Sequence, residues 1–335
     1  MRKLIRKLSD MRGISGFEYR LTDQIADMFK KYCDDVKIDS LGSVIAVKRS
    51  NKPNAPKLMI EAHCDEIGLI VTSITDEGYL TFERTLPSTE VTVHGKEDLW
   101  GVIGIKPNYL LEQGKTAKLK ELAVDTGLSA EKVKELVAVG DSITLAQSVG
   151  RLGKKQFSGK SLDDRASVAA IMRVMKNIKD LDIDIDVYAV AAVQEEVGCR
   201  GGKTTAYGIN PDMAVAIDVC HGITPDNSDN AFEVGTGTVL SVGPNLHPKL
   251  TDELFAVSKR HGIKVSTDVD GGNTGTDAWE IQVACDGVPT ALISIPLKYM
   301  HTSVETLAVS DVKATVNLLT EFIKEQRGEL QWLNF

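Results

Sequence analysis

The stretch "DLDIDIDVYAVAAVQEEVG", residues 180–198, decides the fold class and points to a site. Aspartates at every second position from Asp182 to Asp186 alternate with apolar residues, and the run then becomes wholly apolar. This pattern predicts a strand whose first residues expose one face to solvent and whose last residues are buried on both faces within a sheet. It ends at Glu195 and Glu196, two adjacent like charges that repel and raise each other's pKa. Such a pair needs a nearby cation, a bound proton or exposure to water.

Alternation of element types along the chain predicts an α/β fold. Apolar strands and amphipathic helices follow one another before residue 69 and after residue 155, which predicts a mixed sheet flanked by helices on both faces. Residues 69–155 instead show short alternating strands, many turn residues and one helical segment that begins after the capping serine Ser129. We therefore expect a small β-rich domain at 69–155, inserted between the two parts of a larger domain, 1–68 and 156–335.

The composition is that of an ordinary folded protein, because 42% of the 335 residues are hydrophobic and 26% are charged. The formal net charge of -8 argues against nucleic acid or an anionic membrane as a partner. No apolar run approaches the length of a membrane span, and the basic, interrupted start "MRKLIRKLSDMRG" predicts a surface helix rather than a signal peptide. Five cysteines without CxxC spacing fit a reducing compartment, so we expect a cytoplasmic protein.

Acidic residues and histidines recur where strands end. In open α/β sheets, functional sites form beyond the carboxyl ends of the strands. Five segments place such side chains there, namely His63 with Asp65, Asp163 with Asp164, Glu195 with Glu196, Asp218 with His221, and His301. Carboxylates and imidazoles that converge from separate strands suit zinc, cobalt or manganese, and the lack of a cysteine quartet favours a catalytic over a structural site. A metal ion is thus the favoured partner of the glutamate pair.

Each of these motifs also has a simpler interpretation. Alone, His63 fits a solvated strand-end histidine, and the aspartates of "LDDRAS" fit a helix N-terminus, where acidic groups favour the helix dipole. The glutamate pair alone fits a solvated strand end, and His301 alone fits a loop residue. The metal site is favoured because all five segments follow the same rule within one predicted sheet.

Together these residues carry a resemblance to the M42 family of metallo-aminopeptidases, the glutamyl/leucyl and tetrahedral aminopeptidase group. The segments "AHCDEIGLIV", "GVIGIKP", "LDDRAS", "QEEVGCRGG", "AIDV", "GTDA" and "YMHTSVETL" stand in the family's order and approximate spacing over nearly the whole chain. The resemblance implies a zinc-peptidase-like α/β domain, interrupted by a small β-barrel-like domain used in oligomer contacts. It also implies a homo-oligomer, such as the rings or tetrahedral dodecamers of the family.

The resemblance further implies a site for two divalent metal ions, zinc or cobalt in the first place and manganese as a third candidate. The ligands carried over by position are His63 and Asp218 for one ion, Glu196 and His301 for the other, and Asp163 as the bridge. Asp164 is the alternative bridge.

The remaining two acidic residues take catalytic roles by the same resemblance. Glu195 is the general base, and Asp65 orients His63. The adjacent glutamates thus divide two tasks, since one binds metal and the other moves protons. The implied substrates are peptides with a free N-terminus.

Two other classes of function stay open on the sequence. A metal-dependent hydrolase such as an N-acyl amino acid deacylase would use the same site, and an endoglucanase needs only paired carboxylates without a transition metal. A non-catalytic binding protein would keep the fold and lose ligands, but every proposed ligand position is filled.

Overall fold

The computed structural model describes residues 1–82, 89–105 and 122–334. The helices are α1 (Arg2–Ser9), α2 (Tyr19–Phe29), α3 (Ala130–Leu136), α4 (Leu162–Ile178), α5 (Arg200–Ile209), α6 (Pro248–Arg260), α7 (Asp277–Ile281) and α8 (Val309–Glu325), with a short 3₁₀ helix at Gln331–Leu333. The first nine strands are β1 (Asp35–Ile38), β2 (Val44–Lys48), β3 (Lys57–His63), β4 (Leu69–Ile70), β5 (Ser73–Ile74), β6 (Leu80–Thr81), β7 (Glu90–His94), β8 (Asp98–Gly104) and β9 (Ala123–Asp125). The others are β10 (Ser142–Leu145), β11 (Gly150–Leu152), β12 (Gln156–Gly159), β13 (Asp186–Ala192), β14 (Met213–His221), β15 (Thr238–Val242), β16 (Val265–Val269), β17 (Thr290–Lys298) and β18 (Glu305–Ala308).

A large mixed sheet forms the centre of the molecule. Its strands follow the order β1-β2-β13-β3-β14-β17-β18-β12-β11, and β15 and β16 extend it from β17. The four central strands β13, β3, β14 and β17 are parallel, whereas their neighbours β2, β15 and β18 run antiparallel to them. Because the central strands share one direction, their carboxyl ends lie at one edge of the sheet, where a site is expected.

Helices cover both faces of this sheet, as the sequence predicts. On β3, Leu58 and Ile60 belong to the hydrophobic core with α1, α2, α4, α6 and α8, whereas Met59 belongs to the core with α5 and α7. Successive side chains of a strand point to opposite faces, so a strand between two helical layers must be apolar at nearly every position. The next residue on the Met59 face is Glu61, a buried exception.

The second sheet is antiparallel and curled. Its order is β4-β10-β7-β8-β9-β6-β5, so strands β4 and β5 stand at opposite ends although only Val71 and Thr72 separate them in sequence. Val71 donates its N–H to the carbonyl of Asp141, and Thr72 donates to that of Thr81, which draws the two ends together. With α3, the sheet encloses a hydrophobic core of its own. The inserted β-barrel-like unit is therefore confirmed, while the division at 69–155 stays a prediction.

Strand β13 begins later than its aspartate alternation suggests. The ladder starts at Asp186, whose carboxylate accepts the backbone N–H of Ser50 at 2.7 Å. Asp184 pairs with Lys52 at 2.7 Å instead of entering the sheet. The side-chain contacts of these two aspartates therefore hold the start of β13 in place.

Two other sequence predictions reach beyond the described residues. The β-rich segment predicted at 69–155 includes residues 83–88, and the segment "GVIGIKP" continues past residue 105. Among the helices that the structure describes, none has both the length and the apolar character needed to cross a membrane.

Candidate metal centre and active site

The acidic and imidazole side chains predicted from the sequence meet at the carboxyl edge of the central strands. His63 ends β3, Glu196 follows β13, His301 follows β17, Asp218 lies within β14, and Asp163 lies in the first turn of α4. Asp163 and Asp164 have non-helical backbone angles, so the regular helix begins after them. The topology thus brings together residues that are up to 238 positions apart in the chain.

The first group of ligand atoms comes from His63, Asp163 and Asp218, which lie within 4.8 Å of one another. His63 Nε2 is 3.1 Å from Asp163 Oδ1 and 3.9 Å from Asp218 Oδ1, and all three side chains are buried. Burial and the neighbouring carboxyl of Asp164 raise the pKa of Asp218 well above its ordinary value. A cation between these groups would remove that penalty, so the group fits a metal ion.

The second group comes from Asp163, Glu196 and His301, also within 4.8 Å of one another. His301 Nε2 is 3.2 Å from Asp163 Oδ2 and 3.3 Å from Glu196 Oε2. Since Asp163 Oδ1 faces His63, the two oxygens of Asp163 face different histidines. Asp163 is therefore the residue that both groups share, and Asp164 belongs to neither.

Asp65 connects the first histidine to the glutamate loop. Its fully buried carboxylate lies 3.5 Å from His63 Nδ1 and accepts the hydroxyl of Ser15 at 2.6 Å. It also accepts the backbone N–H of Glu195 at 3.1 Å and that of Glu196 at 3.3 Å. Burial opposes ionisation, but the contact with His63 prevails and lowers the pKa of Asp65. One anion thus positions the imidazole and the main chain of both glutamates.

Glu195 lines the cavity beside the two ligand groups and belongs to neither. Burial raises the pKa of its carboxyl to about 7, and the charge of Asp277 adds to the effect. The Cys199 thiol donates to Glu195 Oε1 at 3.2 Å. A pKa near neutrality suits a side chain that takes up and releases a proton.

Sequence reasoning missed Glu305, which is buried at the start of β18. Glu305 Oε2 accepts the backbone N–H groups of Leu162 at 2.7 Å and Asp163 at 3.1 Å. Its other oxygen accepts the N–H of His301 at 3.0 Å. The signal was present, because Glu305 is the one acidic residue in "YMHTSVETL".

A second feature that sequence reasoning missed is a pair of buried carboxyls, Glu61 and Asp277, behind the site. Burial raises the pKa of both groups, for Asp277 to about 6. Asp277 packs against Gly202 of α5, where a Cβ atom would lie only 2.5 Å from Asp277 Cγ. Both residues carried a signal, since Glu61 interrupts an apolar strand and Asp277 belongs to "GTDA".

The ligand groups open into a cavity of about 710 Å³. Its walls include Cys199, Cys220 and His221, together with residues of β15 and β16 and the loop after β16. None of the described residues that line it is a lysine or an arginine. The cavity is thus acidic, and it is large enough for the terminal residues of a peptide.

Comparisons with known proteins agree with this arrangement. The chain matches the M42 glutamyl aminopeptidase family over residues 42–318. It is 34% identical to the lysyl aminopeptidase of Pyrococcus furiosus, with 96% of each chain covered. Among solved structures, an aminopeptidase from the archaeon Desulfurococcus kamchatkensis has a TM-score of 0.91 at 35% identity, covering 99% of this chain and 96% of that chain. The TET1 peptidase of Pyrococcus horikoshii, which can assemble into a tetrahedron or a large octahedral shell, has a TM-score of 0.86 at 31% identity, covering 97% and 99%.

The fold and the paired ligand groups define a peptidase of the zinc-peptidase-like α/β class. Within that class, the chain belongs to the M42 family and is an aminopeptidase. Peptidases of this family are metal-dependent enzymes. The similarity to enzymes named aminopeptidases does not favour the deacylase and endoglucanase alternatives.

Proposed function

We propose that this chain is a di-metal aminopeptidase that removes N-terminal residues from peptides, with Glu195 as the general base. The observation that carries the proposal is the position of Asp163, whose two oxygens face two histidines of two separate ligand groups. A carboxylate in that position suits a bridge between two ions, as in two-metal hydrolytic sites.

The residues fit divalent cations by donor chemistry and by charge. Carboxylate oxygens and imidazole nitrogens suit zinc, cobalt and manganese. His63 and Asp218 would hold one ion, Glu196 and His301 would hold the other, and Asp163 would serve both. When bound, the two ions supply Lewis acidity that lowers the pKa of a water and polarises the scissile carbonyl.

The chain's own residues then manage the proton. Glu195 accepts a proton from the attacking water as the carbon–oxygen bond forms, and it returns that proton to the amine as the carbon–nitrogen bond breaks. Burial raises the pKa of the Glu195 carboxyl above that of an exposed glutamate, which favours its uptake of the proton. Asp65 keeps the His63 ring and the backbone of Glu195 in place during this exchange.

The charge of the cavity favours a peptide with a free N-terminus. Of the described residues that line it, several are carboxylates and none is a lysine or arginine. The proposed ions would offset the charge of their own ligands, but Asp268 and Asp270 lie in the same wall outside the centre, and they attract an ammonium group and repel a C-terminal carboxylate. We therefore propose aminopeptidase rather than carboxypeptidase action for this site.

We further propose that the chain forms a homo-oligomer, with the β-rich segment 69–155 contributing to the contacts. Support comes from the similar TET1 peptidase, which can assemble into a tetrahedron or a large octahedral shell, and a dodecamer is one assembly that fits. The five free cysteines of the chain fit the reducing cytoplasm that the sequence predicts.

The experiment that tests the function uses matched pairs of peptides with free and N-acetylated termini. The protein is stripped with a chelator and then restored with zinc, cobalt or manganese, and release of the first residue is followed. We expect cleavage of free termini alone, and only after metal returns. Cleavage of acetylated peptides alone would support a deacylase, and activity that ignores the metal would refute the proposed centre.

A further inference from the structure

We propose that Glu18 is a positioning residue for the reaction, because its carboxylate holds Gln194 in a left-handed backbone conformation and thereby sets the direction of the neighbouring Glu195. This inference rests on the proposed aminopeptidase function, since it explains how the proposed general base is held in place.

The loop that follows β13 is held by side chains from other parts of the chain. Four consecutive backbone N–H groups, beginning at Val193, donate to side-chain oxygens. Val193 donates to the hydroxyl oxygen of Ser43 at 3.3 Å, and Gln194 donates to Glu18 Oε1 at 3.0 Å. The last two N–H groups belong to the glutamate pair and donate to Asp65. Because backbone N–H groups withdrawn from water need partners, these side chains determine the path of the loop.

Gln194 has an unusual backbone conformation directly before the proposed general base. Its φ of 58° lies in the left-handed region, which a residue with a Cβ atom adopts only at a cost. The carbonyl of Gln194 accepts the N–H of Arg200 at 3.2 Å, so both backbone polar groups of Gln194 are bound. Since the conformation of one residue sets the direction of the next, the hydrogen bond to Glu18 bears directly on where Glu195 places its carboxyl.

Helix capping does not account for the position of Glu18. The residue stands at the N-cap of α2, where a side-chain oxygen commonly accepts an N–H group of the same helix. The Glu18 side chain makes no such hydrogen bond. It binds instead the N–H of Gln194, which lies 176 positions further along the chain.

The surroundings of Glu18 also favour a role in the loop. Glu18 is only 5% exposed, and no ion pair of the described residues includes it. Burial raises the pKa of its carboxyl, and the charge of Asp65 adds to the effect, whereas the backbone N–H groups of Gly16 and Gln194 lower it. A buried carboxyl without a cation is costly unless hydrogen bonds compensate for its lost hydration. The hydrogen bond to the loop is therefore the long-range contact that explains this residue.

The contact of Glu18 is separate from the contacts that Asp65 makes. Asp65 binds the N–H groups of Glu195 and Glu196, and it is held by the hydroxyl of Ser15. Loss of Glu18 leaves these hydrogen bonds in place. We therefore expect a displaced general base while the proposed metal ligand Glu196 keeps its backbone partner.

The test compares Glu18→Leu with Glu18→Gln. Leucine fills a similar space without an acceptor, whereas glutamine keeps a side-chain oxygen that accepts the Gln194 N–H. The matched control is Asp23→Leu, at an exposed acidic residue of the same helix. All proteins are loaded with the same metal. Hydrolysis of free-terminus peptides gives kcat and KM, and hydrogen–deuterium exchange of the loop, followed by mass spectrometry, reports its backbone without any substrate.

We expect Glu18→Leu to lower kcat about tenfold to a hundredfold and to leave KM nearly unchanged, because a misplaced catalytic group slows the chemical step. The backbone N–H groups of the loop should exchange faster in this variant. Glu18→Gln should retain most of the wild-type kcat and the slow exchange, and Asp23→Leu should match the wild type. Equal losses of kcat in Glu18→Leu and Glu18→Gln, or a rise in KM alone, would overturn the inference.

A second pair of variants tests the same contact from the loop if Glu18→Leu does not fold. Valine resists a positive φ because its side chain is branched at Cβ, whereas glycine adopts this conformation without a penalty. Both Gln194→Val and Gln194→Gly remove the glutamine side chain. A clearly lower kcat in Gln194→Val than in Gln194→Gly supports the inference, and equal kcat values in the two variants would refute it.

The exchange measurement separates this inference from the proposed function. If no protein of the set, the wild type included, cleaves free-terminus peptides but the loop exchanges faster in Glu18→Leu alone, the aminopeptidase proposal fails and the hold of Glu18 on the loop stands. If the loop exchanges equally in Glu18→Leu and the wild type, the role of Glu18 is refuted whatever the hydrolysis shows.

Discussion

Glu305 accepts the backbone N–H of Asp163 at 3.1 Å, and it thereby fixes the residue that both ligand groups share. With its other oxygen it accepts the N–H of His301 at 3.0 Å. Burial and the charge of Asp163 raise the pKa of Glu305, so this side chain is held at an electrostatic cost. Such a cost is understandable if Glu305 sets the distance between the two groups.

Glu305→Gln should lower metal affinity about tenfold to a hundredfold, the usual effect of losing a group that orients ligands. The amide nitrogen cannot accept a hydrogen bond, so either the Asp163 or the His301 N–H loses its partner in each orientation of the side chain. Affinity is measured by chelator competition with cobalt or zinc. The exposed Glu329→Gln is the matched control, and equal affinities in both variants would refute the role of Glu305.

The sequence predicts the architecture well where periodicity is strong. The apolar patterns predict the buried strands β3 and β14 and the amphipathic helix α8. A strand buried on both faces is apolar at nearly every position, and a helix buried on one side is apolar at every third or fourth position. The strand ends then predict where His63 and Glu195 stand. Their convergence follows from the parallel order of the central strands.

The sequence does not predict the residues that hold this site in place. Glu305 contacts Asp163 only because the segment after β17 turns back, with Tyr299 and His301 at φ 58° and 61°. Neither residue is a glycine, so no local signal announces this turn. Asp277 likewise meets Gly202 through the packing of α5 and α7, which periodicity alone cannot specify.

Glu195→Gln should lower kcat about a hundredfold to ten-thousandfold, because the amide cannot take the proton. Its metal content should stay unchanged, since Glu195 lies in neither ligand group. The adjacent Glu196→Gln is the matched control and should bind less metal, since Glu196 lies 3.3 Å from His301 Nε2. Metal analysis and steady-state kinetics of both variants decide the matter. Unchanged turnover in Glu195→Gln, or metal loss in that variant, would contradict the assigned roles.

Glu66→Gln should destabilise the fold by about 3–5 kcal/mol, as expected when one partner of a buried ion pair is removed. Glu66 is 1% exposed and lies 2.5 Å from Lys160 Nζ and 3.0 Å from Arg165, which is itself fully buried. Unfolding by urea measures the loss. The exposed Glu135→Gln, which removes a surface pair with Lys132, should leave the midpoint unchanged.

The stabilisation by Glu66 should also depend on pH. Burial opposes ionisation, but Arg165 and Lys160 lower the folded-state pKa of Glu66 below its ordinary value. A group with a depressed pKa stabilises the fold above its unfolded pKa, about 4.3 for glutamate, and this contribution is lost as the pH falls through the folded value. The difference between wild type and Glu66→Gln should therefore shrink in acid, and a constant difference would contradict the ion-pair explanation.

Gly202→Ala and Gly208→Ala in α5 should have opposite effects on stability. At Gly202 the added Cβ would lie 2.5 Å from Asp277 Cγ, so the buried carboxyl or the helix must shift, at a cost of about 1–3 kcal/mol. At the exposed Gly208 nothing lies within 4 Å of the added atom, and replacing a helical glycine by alanine stabilises by about 0.5–1 kcal/mol. Thermal and urea unfolding compare the two.

Because Asp277 also raises the pKa of Glu195, Gly202→Ala should reduce turnover as well, whereas Gly208→Ala should not. Equal stability and equal turnover of the two variants would contradict the conclusion that close packing of α5 holds the Asp277 carboxyl behind the site.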